Sequence, residues 1–150
     1  MTTPMRPILA SSCARAATAE EARFRIDRPI AGRKALIVAL DEDAADVVDR
    51  VAERPWGGAR FFRTPAVEPV LEQLKDADVT IMVATADADG EAASELARAC
   101  ASHGIMLAGL ILGQRLDVAG AVSALRPYAR NLMITDDEDD VAAVLTALRA

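Results

Sequence analysis

The chain has 150 residues, enough for one domain of ordinary size that buries its own core without disulfide staples. Apolar residues make up 52% but aromatics only 3%, so the core must be aliphatic and rich in alanine. The net charge is −6, and residues 1–34 carry seven Lys/Arg against three Asp/Glu while the rest carries ten against twenty, so an acidic body excludes nucleic acid and anionic membrane surfaces as partners.

Residues 1–32 read as a flexible N-terminal arm, with a short helix over 14–25 opened by Thr18 and Glu21 at capping-box spacing. The apolar stretch before Cys13 is too short, and too interrupted by Pro4 and Pro7, for a signal peptide. Pro29 and Gly32 break the chain, and a folded domain is expected over 33–150.

The domain opens with a continuous apolar run over 34–40, the mark of a strand buried on both faces. Asp41 or Asp43 caps a helix reaching Arg54, with Ala44, Val47, Val48 and Val51 on one face. Pro55-Trp56-Gly57-Gly58 is a turn, and Trp56 either packs on the domain edge or offers a contact to a partner. A shorter, amphipathic strand over 59–64 suits a sheet edge. A helix over 67–77 turns Val67, Val70, Leu71 and Leu74 one way. Residues 79–85 form the next buried strand.

A helix over 91–103 comes next, with Leu96, Ala97 and Cys100 inward, His103 at its end and Gly104 as its stop. Residues 105–112 are a fourth strand. Asp117 is placed to cap a helix over 118–129, with Pro127 near its end. A fifth strand over 131–135 precedes a helix over 140–150, for which Asp139 is the expected cap, with Val141, Val144, Leu145 and Leu148 inward.

Five alternations of strand and helix specify a three-layer α/β domain with a five-stranded parallel sheet. Right-handed crossovers favour the order 2-1-3-4-5, Rossmann-like or flavodoxin-like. That order puts a switch point between the first and third strands. The loops flanking its crevice hold Asp41-Glu42-Asp43 and Ala86-Asp87-Ala88-Asp89-Gly90. Asp41, Asp43, Ala86, Asp87, Asp89 and Gly90 are therefore the candidate binding residues. Asp41, Asp87 and Asp89 are the candidate ligands for a divalent cation such as Mg²⁺. The same carboxylates also suit N-caps and helix-dipole partners.

Residues 35–50 and 78–137 resemble, in pattern, the nucleotide-binding half of the tubulin/FtsZ superfamily. The first run has the shape of that family's first strand, loop and helix. Residues 78–86 are similar to the strand that leads into its glycine-rich signature. The family's loops use glycines so that backbone N–H groups can approach phosphate; here those positions hold Asp41, Glu42, Asp43, Ala44 and Ala45, and then Asp87, Ala88 and Asp89. The resemblance implies a related fold stripped of its GTP site. A receiver-like phosphoacceptor is a further alternative. Receiver domains place an acidic pair after the first strand and an Asp at the end of the third, for which Asp87 falls late. Their hydroxyl after the fourth strand and Lys after the fifth are replaced here by Gly113-Gln114 and Asp136-Asp137.

Walker A, Gly-x-Gly-x-x-Gly and Gly-x-Ser-x-Gly sequences are absent, and the single histidine, His103, excludes the usual His-based metal centres. No catalytic residue and no cofactor is assigned. Asp136-Asp137-Glu138-Asp139-Asp140 reads as a solvated helix start or as a surface for a basic partner. The expectation is a cytoplasmic, non-enzymatic binding or assembly module that meets a protein partner or its own copies, with neither nucleic acid nor membrane involved. Its alternatives are a small-ligand or cation site in the crevice and the receiver-like phosphoacceptor.

Overall fold

The computed structural model describes residues 32–63, 67–114 and 116–150. The chain divides into a unit Met1–Ala31 and a unit Gly32–Ala150, and the described strands and helices all belong to the second. The helix expected over 14–25 lies outside the described residues.

The elements are β1 (Ala35–Ala39), α1 (Glu42–Ala52), β2 (Ala59–Arg63), α2 (Val67–Leu74), β3 (Val79–Ala84), α3 (Gly90–Ser102), β4 (Met106–Leu112), α4 (Ala119–Leu125), β5 (Asn131–Thr135) and α5 (Asp139–Ala147). All strand pairs are parallel, in the order β2-β1-β3-β4-β5. This is the expected topology, and β2 is at an edge as its amphipathic pattern indicated.

The sheet divides the core in two because strand side chains alternate between faces. Ala35, Ile37 and Ala39 of β1 join Val79, Ile81 and Val83 of β3 beneath α1 and α5. Leu36 and Val38 join Met82 and Ala84 beneath α2, α3 and α4. β1 and β3 are wholly buried, which is why β1 is all apolar and β3 is apolar but for Thr80, with no polar/apolar alternation. The one buried polar residue among the described core is Thr80 on β3. Its hydroxyl has no conventional partner and only a weak interaction with the Cys100 thiol, whose pKa burial pushes up.

Gly109 in β4 is required by close packing: a Cβ there would lie 2.5 Å from Leu132 Cδ1 and 3.3 Å from Leu125 Cδ1. Leu132 of β5 and Leu125 of α4 therefore meet over a strand that has no side chain between them. Gly104 ends α3 with a φ of 67°, a conformation glycine adopts without steric cost. His103 is the C-cap of that helix, and its Nδ1–H donates to Ala99 O at 2.8 Å.

Two expected caps are not made. Asp117 does not cap α4, because Val118 holds the N-cap position and no side chain bonds the helix start. Asp139 lies inside the first turn of α5, whose N-cap is Glu138, again with no side-chain cap. α4 also ends at Leu125, short of residue 129, since Pro127 cannot donate to a continuing helix. α2 stops at Leu74 and α5 at Ala147, each three residues early; Arg149 has a φ of 61°, which ends the helical path.

Candidate functional site

In doubly wound sheets ligands enter at the carboxyl ends of strands where the order reverses. Here that place lies between β1 and β3, and the first residue beyond β1 and Leu40 is Asp41. It is the N-cap of α1, with extended backbone at φ −151° and ψ 172°. Its Oδ1 accepts from Ala44 N–H at 2.8 Å and from the Thr85 hydroxyl at 2.8 Å. Its Oδ2 accepts from Thr85 N–H at 2.7 Å. One half-buried carboxylate thus closes a helix end and joins two loops whose residues are 44 apart in sequence. Asp43, the alternative cap, is exposed in the first turn of α1.

The second loop is arranged differently. Thr85 Oγ1 also accepts from Asp87 N–H at 3.4 Å, while the Asp87 side chain is exposed, as is Ala86. Asp89 is the N-cap of α3, its Oδ1 accepting from Glu91 N–H at 2.9 Å and from Ala92 N–H at 3.4 Å. Gly90 is the first residue of α3, and a Cβ on it would come within 4.0 Å of Ala124 Cβ, an ordinary contact. Its lack of a side chain is therefore not needed for packing.

Among the described residues no group of three or more His, Cys, Asp or Glu is placed to hold a metal ion. Asp41, Asp87 and Asp89 are not brought together as a ligand set: two of them cap separate helices and the third points to solvent. At the end of β3, where a receiver-like phosphoacceptor would stand, the residue is Thr85, already bonded to Asp41.

A cleft of about 310 Å³ opens on the α1 and α5 side of the same sheet end. Asp43, Asp46, Asp136 and Glu138 line it with Arg50, Thr85, Val47 and Leu112. Arg50 Nη2 donates to both carboxylate oxygens of Glu138 at 2.8 Å, and Arg54 lies 4.0 Å from Asp139. The acidic run at the start of α5 is thus partly answered from within the domain, by Arg50 in the last turn of α1 and Arg54 just beyond it. Trp56 packs beside them on the domain edge, its Nε1–H donating to Val51 O at 2.9 Å.

Two participants carry no clear mark in the sequence. Thr85 reads as the last strand residue, although a hydroxyl at a buried strand end needs an acceptor. Arg50 stands off the apolar face of its helical pattern and carries no mark there, although its position on α1 sets it toward α5.

No family model matches the chain, and no curated protein matches it. Solved structures do match, and what they share with it is the fold. A de novo designed Rossmann 2x3 fold protein, solved by solution NMR, is 16% identical over 75% of this chain and 86% of its own, with a TM-score of 0.50. A second de novo designed protein is 16% identical over 77% of this chain and 88% of its own, with a TM-score of 0.52. A response regulator from Colwellia psychrerythraea is 17% identical over 78% and 96%, with a TM-score of 0.49. No described helix is long and apolar enough to cross a membrane.

Proposed function

We propose that this protein is a non-enzymatic binding or assembly module that associates with copies of itself. The observation that carries this reading is the state of Asp41. A loop that receives phosphate or a cation presents free N–H groups or free carboxylate oxygens to the crevice. Here both oxygens of the central carboxylate are taken by Ala44 and Thr85, and the next loop spends Asp89 on a helix cap. The loops flanking the crevice between β1 and β3 are tied together by the chain's own hydrogen bonds, which favours the outer surface as the carrier of function. The pattern resemblance to tubulin/FtsZ supplies the motive for assembly, and the cationic segment 1–34 beside an acidic remainder supplies charge complementarity between copies. Sedimentation velocity of the full chain over a wide concentration range, at low and high salt, tests this. A mass that rises with concentration is expected, and a monomer throughout would sink the reading.

The cleft lined by Asp43, Asp46, Asp136 and Glu138 favours a second reading, a small cationic ligand held at this sheet end. A bound cation would raise the melting temperature by an amount set by its concentration over Kd. Asp43→Ala should abolish that rise. An unchanged melting temperature across divalent cations and polyamines would remove this alternative.

A further inference from the structure

β5 is the outer strand of the sheet, and no described residue pairs with its free edge. Thr135 C=O accepts from Gly113 N–H, across the β4 side, at 2.8 Å. Backbone direction alternates along a strand, so Asn131, Met133 and Thr135 address β4, and Leu132 and Ile134 turn their N–H and C=O groups outward. Natural edges are commonly blunted by charge or proline within the strand. Asn131-Leu132-Met133-Ile134-Thr135 contains neither. The charges stand immediately outside it, Arg130 before and Asp136 after. Both are exposed, and neither side chain has a hydrogen bond or ion pair with any described residue.

We propose that two copies join edge to edge through β5, antiparallel, about a two-fold axis at Met133. This specifies the contact for the proposed self-association and rests on it. In this register Leu132 of one copy lies opposite Ile134 of the other, Asn131 opposite Thr135, and Arg130 opposite Asp136. The outward groups of Leu132 and Ile134 then form the hydrogen-bonded pairs, and Met133 meets its twin in a non-hydrogen-bonded pair. A two-fold register slipped one way sets Arg130 against Ile134, and slipped the other way sets Leu132 against Asp136. A parallel pairing would set Arg130 against Arg130. The order cation, apolar strand, carboxylate is therefore self-complementary in one arrangement.

The surface beside the strand fits it. Leu132 and Ile134 floor an open groove walled by Ala119, Val122 and Arg126 of α4 and its end. Pairing brings the partner's copies of these residues alongside and continues the apolar strip across the axis. On the opposite face Met133 is 42% exposed, one of two large apolar side chains so exposed among the described residues.

The test combines sedimentation with oxidation, in the 150-residue chain carrying Cys13→Ser so that buried Cys100 is its sole native thiol. Opposed residues of a non-hydrogen-bonded antiparallel pair have Cα atoms about 4.5 Å apart, within disulfide range. Met133→Cys should give a covalent dimer on mild oxidation, and Asn131→Cys, far from its own twin, should not. Arg130→Glu should weaken association by on the order of tenfold, since it creates two like-charge contacts per dimer. Adding Asp136→Arg should restore it. If the unmodified chain stays monomeric, both the self-association and this contact fall. If it associates but Met133→Cys fails to cross-link, or Asn131→Cys cross-links equally well, only the β5 contact is overturned. An Arg130→Glu variant that associates as before also overturns it.

Discussion

The ends of β3 and β5 use the same two residue types with different results. At each, a threonine hydroxyl donates to an aspartate and accepts from the N–H two residues on. Thr85 finds its aspartate 44 residues away, in the loop after β1. Thr135 finds Asp140 five residues away, in the first turn of the helix that succeeds it. The first pair ties two loops across the switch point. The second shapes one helix start. In sequence both are a threonine followed by acidic residues, and only the sheet order decides which becomes a tie.

The largest expected effect tests that difference directly. Asp41→Ala removes an N-cap and leaves a part-buried N–H and hydroxyl of Thr85 without their acceptor. Together these should cost about 3 kcal/mol in a denaturant titration. Asp140→Ala removes one local bond and should cost about 1 kcal/mol. Equal losses would break the contrast. A double-mutant cycle sharpens it. Asp41→Ala with Thr85→Val should show a coupling of about 1–2 kcal/mol, larger than that of Asp140→Ala with Thr135→Val. Arg50→Ala, losing an ion pair whose side chains are both 56% exposed, should change stability by about 0.5 kcal/mol or less. Asp87→Ala comes last. Its side chain makes no hydrogen bond with any described residue, so no measurable change is expected.

The sheet order is readable because β1 and β3 are almost wholly apolar runs without alternation and each is followed by a helix of regular apolar period. Such patterns depend on burial alone, and burial is what the residues of 35–39 and 79–84 record. Caps are less readable. Asp41 and Asp89 do cap, but Asp117 and Asp139 do not, though each precedes a helical pattern. A cap depends on the backbone angle at one residue, which neighbouring loops set. The candidate site reads as a set of convergent carboxylates because sequence shows which loops are adjacent but not where hydrogen bonds go. Asp41 turns inward because Thr85, at the end of a wholly buried strand, needs an acceptor for both its N–H and its hydroxyl. Arg50 and Glu138, 88 residues apart, meet only because α1 and α5 share a face of the sheet.

The two halves of the core lie on opposite faces of the sheet, and the chain carries a natural label for each. Its single tryptophan, Trp56, lies against the half beneath α1 and α5. Cys100 lies in the half beneath α2, α3 and α4, fully buried, and that burial pushes its thiol pKa up. Tryptophan emission and thiol labelling, followed in one denaturation experiment on the chain carrying Cys13→Ser, report the two layers separately. Coincident curves would mean that the sheet transmits the loss of either layer to the other, and divergent curves would show which layer melts first.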